Sequence, residues 1–128
     1  MLKQVIEVHE LLDDAHVSGK TVAEYFNTKG FCIASTETIH GEKGKTDFVK
    51  ILIPGLSGRG GGGSSRTLGI IGRLGGIGAR PERIGLVSDA DGAIAALACA
   101  AKLVDMASKG DMLAGDVLVA THICPDAQ

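Results

Sequence analysis

The chain has 128 residues, of which 45% are hydrophobic, only 3% aromatic and 22% charged, with a formal net charge of −2. That length suits one domain with a real core rather than two, and with so few aromatics the core must be Ala, Ile, Leu and Val. So small a charge gives no electrostatic reason to expect a nucleic acid or an anionic membrane as partner.

The opening "MLKQVIEVHE" carries charges throughout and reads as neither a signal peptide nor an anchor. The longest apolar run, residues 93–101, is far short of the roughly 20 residues a membrane span takes. Cys32, Cys99 and Cys124 have no CxxC spacing, and the first two lie in apolar patterns as reduced core residues. A soluble cytoplasmic protein is expected.

In chain order, Leu2, Val5, Ile6, His9 and Leu12 recur at helical spacing and predict an amphipathic helix ending near Asp13 and Asp14, with His9 packed. Thr21 followed by Glu24 reads as a capping box opening a second helix, which Gly30 closes. "FCIASTETI" and "TDFVKILI" are rich in β-branched and aromatic residues and predict two strands, joined by "HGEKGK". Residues 55–66, "GLSGRGGGGSSR", offer little to bury and cost much backbone entropy to order, which predicts a flexible glycine-rich loop. "TLGIIG" and "RIGLVS" predict short strands, residues 93–108 a helix with Lys102, Asp105 and Lys109 on its wet face, and "AGDVLVATHI" a last strand. Strands interleaved with a buried helix argue an α/β layered mixed sheet in a single domain over residues 1–128. Apolar runs at 84–87 and 117–120 suit strands covered on both faces.

Three features could carry chemistry. Asp89 and Asp91 fall between a predicted strand and a helix start, where either can cap free N–H groups or, as a pair of carboxylates at a strand end, bind a cation. His122 nears the end of the last strand; if that strand runs parallel to 84–88, the imidazole converges with Asp89 in a set that suits zinc, the bland alternative being an ordinary strand-end histidine. "GRLGGIGARPER" brings Arg73, Arg80 and Arg83 among glycines, without the dinucleotide or P-loop spacing. Backbone N–H groups plus arginines can hold a phosphate or carboxylate, or the stretch is a loop of solvated charges. No GxSxG elbow supports nucleophilic catalysis.

"GEKGKTDFVKILIPG", "TLGIIGRLGGIGARPERIGLVSDADGAIAALA" and "KGDMLAGDVLVATHICPDA" resemble the family called domain of unknown function 1177, whose bacterial and archaeal members are longer. The resemblance names no activity and implies a fragment or a short member. The order of elements also resembles, remotely, the first half of the di-zinc aminopeptidase and deacetylase superfamily. That second resemblance implies an aminopeptidase-like (phosphorylase/hydrolase-like) fold, with Asp89 in the role of the metal-bridging aspartate. Where the superfamily carries a His-x-Asp metal motif this chain has Arg73 and Gly75, and where it carries paired glutamates this chain has Ala127 and Gln128. Arginine stays protonated and cannot ligate zinc, so the usual di-zinc peptidase activity is not expected.

Two functions follow as expectations. The first is a metal-dependent hydrolase-like domain with zinc at Asp89, Asp91 and His122, acting on a small-molecule or peptide ligand. The second is a non-catalytic domain that binds a small anion through Arg73, Arg80 and Arg83, or serves assembly. Residues 117–123, apolar on both faces with no sequence left to pair or cover them, further predict a homo-oligomer.

Overall fold

The computed structural model describes residues 1–13, 17–41, 44–72 and 91–123. Its elements are α1 (Leu2–Leu12), α2 (Gly19–Lys29), β1 (Ile33–Gly41), β2 (Gly44–Ile53), β3 (Leu68–Ile71), α3 (Asp91–Ser108) and β4 (Val117–Ile123), with a short 3-10 turn at Arg59–Gly61. The predicted strand at 84–87 lies outside the described residues.

Helical spacing places α1 correctly, with Val8 and Leu12 fully buried, but His9 stays exposed in its last turn rather than packed. The start of α2 differs from the predicted capping box. Ser18 is the N-cap, its Oγ accepting the Thr21 N–H at 3.3 Å, so Thr21 is already inside the helix. Serine three residues upstream satisfies an orphan donor of the first turn, which leaves Thr21 nothing to cap. Gly30 closes α2 at φ +77, the region that favours glycine. Asn27 then ties the helix to the sheet, its Nδ2 donating to Ala34 O and its Oδ1 accepting the Ala34 N–H, both at 2.9 Å.

The sheet order is β1-β2-β4-β3, with β1/β2 and β2/β4 antiparallel and β3/β4 parallel. Period-two alternation gives it two unlike faces. On one lie Ala34, Val49, Ile51, Val117, Val119 and Ile123, all buried in a single core with Phe26 of α2 and Leu97 of α3. The small residues Ala93, Ala96, Ala100 and Ala101 let α3 settle close to the strands, and α1 packs against α3. The other face is open, exposing Ile33, Ile39, Phe48, Leu118 and Ile71.

Of the expectations for β4, one holds and one is corrected. As its sequence predicts, it is an interior strand, hydrogen-bonded to β2 along its length and to β3 over residues 117–120. It is not covered on both faces, since its burial alternates and Leu118 is 37% exposed. A run of apolar residues hides that alternation, because the open face happens to carry Leu118 and Ala120.

Candidate functional site

The β3–α3–β4 crossover sets the most distinctive geometry. Gly72 follows β3 and donates its N–H to Ala120 O of β4 at 3.0 Å. Ile71 is opposite Ala120, so Gly72 lies beside Thr121 on the face that α3 covers. A methyl group added at Gly72 would collide with the Gly92 carbonyl oxygen and stand 2.6 Å from Ala96 Cβ. Only a residue without a side chain fits, and the end of β3 touches the first turn of α3. The carboxyl ends of parallel strands are where open α/β sheets take their ligands, and a helix N-terminus there favours negative charge.

Two further polar groups stand at this end of the sheet, on the covered face. Asp47, opposite Ile123 and 3% exposed, accepts the Gly19 N–H at 2.8 Å and the Thr38 hydroxyl at 2.7 Å, pinning the start of α2 to the sheet. Thr121 is 4% exposed, and its Oγ1 has no hydrogen-bond partner among the described residues. A buried hydroxyl left unpaired costs free energy on the order of 1–3 kcal/mol, so it is an unusual thing to find at a strand end.

Of the residues singled out from sequence, Asp91 is the first residue of α3. His122 lies in β4, half-buried on the open face, its ring centroid 6.0 Å from that of Phe48. The helix stands on the opposite face, so the sheet separates His122 from the helix that Asp91 begins. Asp89, Arg73, Arg80 and Arg83 lie outside the described residues. Among the described residues no three His, Cys, Asp or Glu side chains are grouped to hold a metal ion. Cys32 and Cys99 are free thiols; burial pushes the Cys32 thiol up from its ordinary value.

At the opposite end of β4, Asp116 organises the glycine-rich stretch. Its Oδ1 accepts the Gly55 N–H at 2.8 Å and its Oδ2 the Gly60 N–H at 3.0 Å. Gly58 lies so close that a side chain there would collide with the carboxylate. The N–H groups of Leu56 and Ser57 reach Leu113 O and Ala114 O, giving residues 55–66 a defined path. These roles of Asp47 and Asp116 escaped the sequence reading. Asp47 shows one usable signal, an acid at an inward position of a strand whose other inward residues are Val49, Ile51 and Ile53.

Hydrogen bonds from Gly55 and then Gly60 hold the Asp116 carboxyl below the usual range, because they favour its charged form. A depressed folded pKa stabilises the protein above the ordinary carboxylate pKa, about 4, and that contribution is lost as the pH falls through the lower folded value. Urea unfolding should therefore show wild type losing more stability than Asp116→Asn on going from neutral pH to below 4. Equal losses would mean that the carboxylate charge does not hold the loop.

The described molecule is thus an α/β protein with a four-stranded mixed sheet and three helices. Residues 37–128 match the family model described as Protein of unknown function (DUF1177), and the chain belongs to that family. A search of curated proteins gave no match. No helix among the described residues is long and apolar enough to cross a membrane.

Proposed function

We propose that this chain is a small-anion-binding module whose ligand, carrying a phosphate or carboxylate group, sits at the carboxyl ends of β3 and β4. The contact of Gly72 with Gly92 and Ala96 carries the reading. It joins a parallel strand end to the N-terminus of an 18-residue helix, the arrangement that favours an anion. The intervening residues 73–90 contribute Arg73, Arg80 and Arg83, whose planar guanidinium groups suit bidentate contacts to phosphate or carboxylate. Thr121 supplies a buried hydroxyl donor beside Gly72. The metal-dependent hydrolase reading, with zinc at Asp89, Asp91 and His122, is less well supported because β4 turns His122 to the face away from α3.

Thermal unfolding in the presence of inorganic phosphate and pyrophosphate tests the proposal. A ligand at 100 times its dissociation constant stabilises by about 2.7 kcal/mol, so a clear rise in Tm is expected. The rise should vanish in the Arg73→Ala/Arg80→Ala/Arg83→Ala variant and persist in Asp89→Ala. No rise for either anion, together with stoichiometric zinc that is lost on Asp89→Ala, would replace this reading with the metallohydrolase.

A further inference from the structure

The open face of the sheet has an occupant that its own charges specify. Ile33, Ile39, Phe48, Leu118 and Ile71 are exposed there, with Phe48 42% and Ile71 87% accessible. Several large apolar side chains exposed on one face mark an interaction site. Among the described residues the face carries two ionised side chains, Glu37 on β1 and Lys50 on β2, both exposed. Glu37 is opposite Phe48, and Ser35 is opposite Lys50. The acid and the base therefore occupy one diagonal of a four-residue patch on β1 and β2, toward one edge of the sheet, and Phe48 and Ser35 occupy the other. Neither charge makes an ion pair with a described residue.

We propose that this face binds the same face of a second copy of the chain about a two-fold axis crossing the Glu37–Lys50 diagonal. The symmetry follows from the diagonal. A two-fold axis in the interface plane, perpendicular to the Glu37–Lys50 line at its midpoint, sets Glu37 of each protomer over Lys50 of the other. It makes two reciprocal ion pairs at once and leaves no charge buried alone, which a face-to-face contact must achieve to be stable. The same axis runs close to Phe48, so the two copies of that ring meet at the centre, where interface energy concentrates.

Size sets the strength. Three strands about 4.8 Å apart, paired over some seven residues at about 3.3 Å each, with β3 adding four more residues, give a face of roughly 400 Å² before side-chain relief. Two such faces in full contact bury about 800 Å², below the roughly 1,000 Å² of a stable specific interface and in the range of weak, transient ones. The dimer is accordingly one that dissociates on dilution, not an obligate one.

Sedimentation velocity over a dilution series tests this with two charge reversals. Wild type dimerises with increasing concentration. Glu37→Lys and Lys50→Glu each place like charges over one another at both symmetric positions, and each raises the dissociation constant roughly tenfold or more. Mixed in equal amounts, the two variants form a heterodimer as readily as wild type forms its homodimer, because every pair is then opposite in sign. Circular dichroism on each variant separates loss of association from loss of folding, and the recovery in the mixture requires folded chains. A wild type that stays monomeric at millimolar concentration, single reversals that dimerise like wild type, or a mixture that fails to associate would each overturn the proposal.

Discussion

Phe26→Ala is expected to destabilise the protein by about 3–5 kcal/mol, the usual loss when a fully buried aromatic is truncated and its cavity only partly collapses. Phe26 is wholly inaccessible and joins α2 to the core formed by the sheet and α3. Among the described residues it is also the one aromatic of the fully buried side chains, with aliphatic residues making up the rest. Truncation also removes the edge-on contact with the Tyr25 ring, whose centroid is 5.2 Å away. Domains of this size are held by about 5–15 kcal/mol in total, so the variant should unfold at a far lower urea concentration. Phe48→Ala, on the open face, should leave the monomer's stability within about 1 kcal/mol of wild type. Similar losses for the two phenylalanines would contradict the assignment of a covered and an open face.

Gly72→Ala is the second large effect, expected at about 1–3 kcal/mol from overpacking. The added methyl group meets the Gly92 carbonyl and Ala96, and backbone at a helix start cannot swing aside as a long side chain can. Either β3 must withdraw from β4, losing the Gly72 N–H to Ala120 O bond, or α3 must lift from the sheet. Both outcomes disturb the carboxyl edge, so anion binding should weaken in the same variant. Gly69→Ala is the control: the site is open, and its substitution should be nearly neutral. A Gly72→Ala variant as stable as wild type would mean that β3 and α3 do not meet as described.

How far this was legible in the sequence depends on the range of the interaction. Local patterns placed the helices well, because Val5, Val8 and Leu12, or Ala93, Leu97, Ala100 and Val104, recur at mixed spacings of three and four that a helix, and not a strand, turns to one side. Strand existence was equally plain in "TDFVKILI", whereas the role of Asp47 in it was not, since its partners include Gly19, 28 residues away. Asp116 is a sharper case. Its partners Gly55 and Gly60 lie 61 and 56 residues earlier, and nothing local in "AGDVL" points to them. Composition reads residues 55–66 as a flexible glycine-rich loop, and says nothing of which distant carboxylate that loop meets. The open face was hidden for a different reason. Apolar residues on both sides of β4 look the same in sequence whether the second side meets a helix, a second copy or water.

The candidate site divides along the same line. The carboxylates and arginines of residues 73–91 are visible as residue types, but which of them can meet depends on strand pairing and on faces. Period-two alternation along β4 turns His122 away from the face that α3 covers, a parity that the residue types alone do not reveal.

Titration of isotopically labelled protein with pyrophosphate, followed by backbone amide shifts in NMR, locates the proposed anion at the carboxyl ends of β3 and β4. Saturable shifts centred on Gly72, Gly92 and Thr121 are expected, with the amides of Gly55 and Gly60 unmoved. Shifts centred on Gly55 and Gly60 instead, or none at any concentration, would contradict that placement.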